Sequence, residues 1–236
     1  MYRIDILIPT ARFVFAVHDG VVDVLPEHRS PQAFAGYQEL RATQPVVGHT
    51  TFPNTVLLRG PRTILVDPGL HIQNEPVVRA LEARGLSADD VDAVALTHAH
   101  LDHAGACADL ELPVTLHERE TREPHWAAVQ GILQARSLTL LSGDEGDLAE
   151  GISWVRAPGH TDGGIIFKVQ GPAGLVVLCG DLIGPLRDEF DRLTVPADEP
   201  AADQLLAAWK LIRSWRPALV IPGHVPPFAP RATSAV

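Results

Sequence analysis

Residues 98–103 constrain this chain more than any other part of its sequence. They directly follow residues 91–97, an apolar stretch that is predicted to be a buried β-strand. In order, they are His98, Ala99, His100, Leu101, Asp102 and His103. Ordinary packing does not require four imidazole or carboxylate groups within six residues, because burying them together costs solvation and adds repulsion between protonated rings. A bound cation removes both costs, so the segment predicts a metal site at the end of a strand.

Three more potential metal ligands each follow another run of apolar, β-forming residues: His160, Asp181 and His224. Polar side chains collected at the ends of several strands are typical of a site built on a rigid sheet. The two cysteines, Cys107 and Cys179, are too few for a disulfide scaffold and do not have the spacing of a structural zinc site. The metal chemistry is therefore expected to use histidine and aspartate.

Strands and helices are predicted to alternate through two similar halves of the chain. Strands are expected at residues 55–59, 63–67, 91–97, 113–117, 152–157, 165–169, 175–179 and 218–221, and helical structure at 75–84, through 118–141 and at 198–215. This order favours an α/β (α+β) fold in which two sheets pack together with helices outside. We treat residues 1–236 as a single domain, with 26–51 as a candidate lid and 229–236 as a loose tail.

Composition excludes several classes of protein. The 236 residues are 46% hydrophobic and 20% charged, which fits a folded domain and not a disordered chain or a coiled coil. The net charge of −10 repels phosphate backbones, so nucleic acid is not expected as a partner. No segment is apolar enough to span a membrane, and Asp5 interrupts the apolar start of the chain. We expect a cytoplasmic protein with a small-molecule substrate and no membrane partner, and the sequence leaves a homodimer open.

The candidate ligands resemble the ligand set of the metallo-β-lactamase superfamily. The family's first motif is His-x-His-x-Asp-His, and its remaining ligands follow in the same order as here. The matching residues are His98, His100, Asp102, His103, His160, Asp181 and His224. The resemblance covers residues 54–227 and implies a four-layer αββα sandwich with the metals at one edge of the sheets.

The resemblance also implies how two metal ions are shared. The first ion is assigned to His98, His100 and His160, the second to Asp102, His103 and His224, and the bridge between them to Asp181. Asp67 is expected to accept a hydrogen bond from a ligand histidine. Zinc is the first choice, with iron or manganese as alternatives, because imidazole and carboxylate suit all three metals.

A centre of this kind implies hydrolysis. A hydroxide that bridges the two ions is a nucleophile at neutral pH, and Asp102 is expected to orient it and to help deliver a proton to the leaving group. We expect cleavage of a small-molecule ester, thioester or lactone. One alternative is a phosphodiesterase or ribonuclease, because residues 222–228 resemble a small branch whose animal member is linked to RNA cleavage. The other is a mononuclear-iron oxidoreductase similar to sulfur dioxygenases.

Departures from better-known branches of the family narrow the choice. True β-lactamases of this fold generally lack the bridging aspartate, which is Asp181 here. A glyoxalase II type enzyme is expected to have a helical domain after the last ligand, but the sequence continues only from His224 to Val236. Acyl-homoserine lactonases usually have a tyrosine where this chain has Gly184. Among the other histidines, His49 and His71 are candidates for substrate contact, and the rest are expected to be ordinary side chains: His18, His28, His117 and His125.

Overall fold

The computed structural model describes residues 1–18, 21–24, 47–71, 75–184, 187–196 and 199–231, with only the backbone described between residues 11 and 51. The strands in these residues are β1 (Arg3–Ile8), β2 (Ala11–His18), β3 (Val21–Val24), β4 (Val47–Phe52), β5 (Thr55–Arg59), β6 (Thr63–Val66), β7 (Ala93–Ala95), β8 (Val114–His117), β9 (Leu138–Leu141), β10 (Glu145–Ala149), β11 (Ile152–Arg156), β12 (Ile165–Gly171), β13 (Gly174–Gly180) and β14 (Leu219–Pro222). The helices are α1 (Pro76–Glu82), α2 (Leu101–Ala104), α3 (Trp126–Gln134), α4 (Arg187–Arg192) and α5 (Ala202–Ser214), and short 3-10 turns lie at Ala88–Asp90, Gly105–Asp109 and Glu118–Arg122.

Two large sheets form the centre of the molecule. The first has the strand order β1-β5-β6-β7-β8-β9, with parallel pairing from β6 onward. The second has the order β10-β11-β12-β13-β14 and is antiparallel except for the last pair. Parallel neighbours end at the same edge of a sheet. The residues that follow β13 and β14 therefore lie at one edge of the second sheet, and those that follow β7 lie at the edge where its parallel neighbours end.

Alternation along the strands divides the core into three apolar clusters. In the first sheet, Leu57 faces the outer helices, while Val56 and Leu58 face the second sheet. In the second sheet, Phe167 faces inward, and Ile166 packs in the outer cluster that includes Trp209 of α5 and Phe190 of α4. Three clusters separate four layers, which confirms the expected αββα sandwich.

The prediction of helical structure through residues 118–141, with breaks at Pro124 and Gly131, is wrong at its end and at Gly131, which lies within α3. The 3-10 turn Glu118–Arg122 and α3 are followed by β9, which pairs in parallel with β8, placing Leu138 opposite Val114. A short apolar run does not distinguish a strand from a helix by periodicity alone, and here the free edge of β8 decides the outcome. Strands β1 and β10 and helix α4 were also not predicted.

A third, three-stranded sheet of order β3-β2-β4 was not expected from the sequence. It includes residues 47–51 of the candidate lid, whereas residues 26–46 lie outside the described residues, so the lid stays a prediction. Of the predicted tail, residues 229–231 are described, and the Ala229 carbonyl accepts a hydrogen bond from Arg187 Nη2 at 3.2 Å. In the part of the chain that the structure describes, no helix has the length and apolar composition needed to span a bilayer.

Candidate metal centre

All seven candidate ligands lie at one edge of the sandwich, just beyond strand ends. Strands β13 and β14 run parallel with Gly180 opposite Pro222, so the residues that follow, Asp181 and His224, reach the same edge. Strand β11 runs in the same direction as β13, because two antiparallel pairings separate them, and the loop after it carries His160. The second sheet therefore delivers three of the candidate ligands.

The first sheet delivers the other four through the loop and short helix that follow β7. His98 lies buried in this loop, and α2 carries Asp102 and His103. The Ile165 amide donates a hydrogen bond to the Thr97 carbonyl at 2.9 Å and joins this loop to the second sheet. Ligands from both sheets therefore meet at one place.

The candidate ligand atoms form two groups, and within each group all atoms lie within 4.8 Å of one another. The first group comprises His98, His100, His160 and Asp181, and the second comprises Asp102, His103 and His224. This division has the same histidines in each group as the family resemblance implies.

Asp181 faces both groups. Its Oδ1 lies 3.1 Å from His103 Nε2, while its Oδ2 lies 3.3 Å from His224 Nε2, 3.5 Å from His160 Nε2 and 4.0 Å from His98 Nε2. Oδ1 is buried and makes no hydrogen bond of normal geometry. A buried carboxylate oxygen without a hydrogen bond is costly. The Asp181 carboxylate as a whole lies among four imidazoles, a position that suits a shared cation.

The ring nitrogens of the first group converge in the same way. His100 Nδ1 lies 3.1 Å from His98 Nε2 and 2.9 Å from His160 Nε2. A neutral imidazole has one hydrogen for two nitrogens, so these three rings cannot satisfy one another by hydrogen bonds alone. A divalent cation between the nitrogens would accept all of their lone pairs. The residues present therefore fit a metal centre of imidazole and carboxylate donors.

Burial and neighbouring charges shift the pKa values of histidines in the two groups in opposite directions. Burial lowers the pKa of His98 well below its usual value, and burial with neighbouring histidines lowers the pKa of His100 to about 4. Both rings are thus neutral at pH 7, the form that binds metal. Burial also acts to lower the pKa of His103, but the carboxylates of Asp181 and Asp67 outweigh it and raise this pKa well above its usual value. A cation in the second group would replace the proton that these carboxylates attract.

Asp67 orients His103. Its Oδ1 accepts a hydrogen bond from the Thr97 amide at 2.8 Å, and its Oδ2 accepts one from Thr97 Oγ1 at 2.7 Å and lies 3.0 Å from His103 Nδ1. Because a carboxylate accepts and does not donate, His103 Nδ1 carries a hydrogen, and Nε2 is turned toward the second group. The backbone of Asp67 is left-handed, with φ of 49°, which aspartate tolerates better than most residues.

The histidines outside the candidate ligand set differ in their exposure and in their contacts. The His125 ring, expected to be ordinary, lies 4.3 Å from the His100 ring in an edge contact. His71 is mostly exposed and pairs through Nδ1 with Asp109 Oδ1 at 2.5 Å. His117 is buried, and its Nε2 donates to the Gly143 carbonyl at 2.9 Å. The side chains of His18, His28 and His49 lie outside the described part of the chain.

Asn54 supports the last ligand loop and was missed at the sequence level. It is buried; its Nδ2 donates to the carbonyls of Pro222 and Val225 at 2.8 Å each, and its Oδ1 accepts from the Thr10 amide at 3.0 Å. It thus ties the first half of the chain to the segment around His224. Its partners lie as far as 171 residues away, and no local pattern marks such contacts.

Gly223→Ala is expected to lower metal content by displacing Asp181. A Cβ at this position would overlap Asp181 Oδ1 and approach His103 Cε1 to 3.0 Å. Because this carboxylate faces both groups, we expect metal affinity to fall by about ten-fold or more, which metal analysis after dialysis would measure. Gly184→Ala is the matched control, because a Cβ there meets no atom of the described residues within 4 Å. Equal metal content in the two variants would contradict the expectation.

Comparison with known proteins agrees with the fold. The sequence model of the metallo-beta-lactamase superfamily matches residues 50–224. Metallo-beta-lactamase domain-containing protein 1 of Xenopus laevis is 27% identical over 176 residues, which are 74% of this chain and 71% of that protein. Hydroxyacylglutathione hydrolase of Dechloromonas aromatica (strain RCB) is 32% identical over 129 residues, which are 54% of this chain and only 42% of that enzyme.

Solved structures share the same architecture at low sequence identity. A metallo-beta-lactamase relative from Thermotoga maritima superposes with a TM-score of 0.67 at 20% identity, covering 97% of this chain and 99% of that one. An N-acyl homoserine lactone hydrolase with its product N-hexanoyl-L-homoserine at the catalytic metal centre superposes with a TM-score of 0.63 at 17% identity, covering 92% and 91%. The sandwich and the match over residues 50–224 lead to one conclusion: this chain belongs to the metallo-beta-lactamase superfamily.

Proposed function

We propose that this protein is a metal-dependent hydrolase that holds two divalent metal ions, with zinc as the first choice, and cleaves a small-molecule ester, thioester or lactone. One observation carries the proposal. Two groups of imidazole and carboxylate ligand atoms lie side by side, and the Asp181 carboxylate faces both.

Two relatives support acyl hydrolysis as the reaction. The name of the Dechloromonas aromatica enzyme describes hydrolysis of an acylated glutathione, and the lactone hydrolase was solved with an acyl-homoserine product at its metal centre. Both act on acyl compounds, although they are distant from this chain. The net charge of −10 adds a further argument, because it disfavours a polynucleotide substrate.

Two bound divalent ions supply a water-derived nucleophile at neutral pH and polarise a carbonyl oxygen. The residues of this chain orient the candidate ligands and shield some of them from water. Asp67 keeps the Nδ1 hydrogen on His103, so that Nε2 faces the second group. The burial of His98 and His103 keeps bulk water from two of the candidate ligands.

We assign proton transfer to Asp102. Its Oδ2 lies 3.1 Å from His224 Nε2. Burial acts to raise the pKa of Asp102, but the hydrogen bond from His224 and the charges of His103 and His224 together outweigh it and lower this pKa. The carboxylate is therefore charged at neutral pH and able to take up a proton. Passing that proton to the leaving oxygen or sulfur is the role that the proposal gives it.

Metal analysis followed by a substrate panel tests the proposal. Protein purified without added metal is measured for metal per chain and then assayed on a lactone, a thioester, an aryl ester and a phosphodiester. We expect about two zinc ions per chain and hydrolysis of carbonyl substrates. A chelator should remove the metal and reduce hydrolysis by about 10³-fold, and added zinc should restore it.

Other results would assign the protein to a different branch of the family. Cleavage of the phosphodiester alone would favour a nuclease. One iron per chain, with oxygen uptake on thiol substrates and no ester cleavage, would favour a sulfur dioxygenase-like oxidoreductase.

A further inference from the structure

A buried carboxylate outside the candidate ligand set connects the loops of the first group. Glu120 lies in the 3-10 turn Glu118–Arg122 and is fully buried. Its Oε2 accepts hydrogen bonds from the Ala99 amide at 2.7 Å and from His125 Nε2 at 3.0 Å, and its Oε1 accepts one from Thr161 Oγ1 at 2.6 Å. Glutamate is rarely fully buried unless its oxygens are paired, and here both are.

The three partners of Glu120 lie beside the three histidines of the first group. Ala99 separates His98 from His100, and Thr161 directly follows His160. The third partner is the His125 side chain, whose ring makes an edge contact with the His100 ring at 4.3 Å. One carboxylate therefore reaches both loops that carry these histidines, although the loops follow strands of different sheets.

Glu120 packs directly against Gly163, in the space that a side chain at that position would take. A Cβ on Gly163 would lie 2.6 Å from the Glu120 amide nitrogen, 2.7 Å from its Oε1 and 2.8 Å from its Cγ. Cβ atoms in real proteins essentially never make contacts this short, so any side chain at this position would displace Glu120. The glycine is thus needed for space.

We propose that Glu120 is a positioning residue that sets the first group of ligands by holding the loop of His98 and His100 against the loop of His160. The inference rests on the metal centre proposed above. None of the three hydrogen bonds of Glu120 reaches a ligand of the second group. The effect of losing Glu120 should therefore fall on the first group.

Cobalt binding to the full-length protein separates the two groups. In a background with Asp102→Ala and His224→Ala, the second group is disabled, and the visible absorption of bound Co²⁺ reports on the first. Adding Glu120→Ala should weaken Co²⁺ binding by about 10- to 100-fold and change the absorption spectrum. In the complementary background with His100→Ala and His160→Ala, the same substitution should leave Co²⁺ binding to the second group within about two-fold, because Glu120 does not contact its ligands.

Three further variants show whether hydrogen bonding at this position is what matters. Glu120→Gln keeps an oxygen for the Ala99 amide and His125, and its amide group donates to Thr161, so it should restore most of the affinity. Gly163→Ala retains the carboxylate but displaces it, so it should weaken binding as Glu120→Ala does, and it carries the test if Glu120→Ala does not fold. Glu118→Gln is the control in the same turn and should behave like the parent.

A measurement without metal gives an independent result. In the metal-free protein, the Ala99 amide is expected to exchange with deuterium slowly, and Glu120→Ala should speed its exchange by about ten-fold while residues of the inter-sheet core keep their protection. Unchanged exchange at Ala99, or equal loss of affinity in both groups, would overturn the positioning role. A parent protein that binds no Co²⁺ at all would instead overturn the metal centre, and this inference with it.

Discussion

Protein that carries both His100→Ala and Asp181→Ala is expected to lose two-metal binding and hydrolytic activity while it remains folded. His100 places its Nδ1 within 3.1 Å of two other imidazoles of the first group, and Asp181 faces histidines of both groups. The double substitution therefore removes two of the four ligands of the first group. One of the two, Asp181, is also the carboxylate that faces the second group.

The expected loss is large because the metals supply the chemistry. Bound metal ions contribute several kcal/mol of transition-state stabilisation, and the rate depends exponentially on that free energy. We expect fewer than about one metal ion per chain and a fall in kcat/KM of about 10³-fold or more on whichever carbonyl substrate the parent cleaves. Metal analysis of dialysed protein and steady-state kinetics measure the two effects.

The fold should survive this double substitution. Both side chains lie at the edge of the sandwich, outside the three apolar clusters of the core. Asp188→Ala is a suitable control, because this side chain is 67% exposed and has an ion pair of 3.8 Å with Arg192. Circular dichroism should be the same for parent, control and double variant. Two metal equivalents in the double variant would refute the assignment of these ligands.

Asp67→Asn is expected to weaken the second metal without unfolding the protein. The Asp67 carboxylate accepts three hydrogen bonds, two from Thr97 and one from His103 Nδ1. If the asparagine amide nitrogen faces His103, Nδ1 must give up its hydrogen, and the hydrogen moves to Nε2, where it blocks the metal. If the amide is turned the other way, its nitrogen meets the Thr97 amide, a donor against a donor.

We expect the first orientation, because it avoids the contact between two donors at the Thr97 amide, and it acts on the second group through His103. We expect the affinity for one metal ion, and with it kcat/KM, to fall by about 100-fold, while the other ion is retained. Asp92→Asn is the matched control, since Asp92 Oδ2 also accepts a backbone hydrogen bond, from the Thr63 amide at 2.6 Å, with no histidine bond to disturb among those described. Two tightly bound ions in Asp67→Asn would mean that Asp67 does not set the orientation of His103.

Local signals in the sequence indicated the two packed sheets but not the third sheet of order β3-β2-β4. The alternation of Val56, Leu57 and Leu58 predicts a strand with two apolar faces, and the structure confirms a strand buried between a helical layer and another sheet. Residues 138–141 were wrongly predicted to be helical, because what makes them strand β9 is their pairing with β8. In that pairing Leu138 lies opposite Val114, which is on the other side of α3 in the chain. Short edge strands have little pattern of their own, so tertiary contacts assign them.

The candidate ligands were recognisable for a similar reason. His98, His100, Asp102 and His103 are close together in the chain, and metal-binding residue types at that density are a local property. The roles of individual residues came from the resemblance to a family, not from spacing. The contact between His125 and His100 joins residues that are distant in the chain, and it depends on how the 3-10 turn after β8 folds back, which no periodicity reports.

The sequence by itself determined which residues are candidate metal ligands and which strands carry them, because residue type and apolar alternation act over a few neighbouring positions. The resemblance to a family implied how the seven side chains divide, and the tertiary structure brings them together in two groups with Asp181 facing both. Only the tertiary structure identified His103 as the ligand histidine that Asp67 contacts, and placed Glu120 against two loops 21 and 41 residues away. Such buried hydrogen bonds depend on distance and direction between distant segments, and those are set by the packing of the whole sandwich.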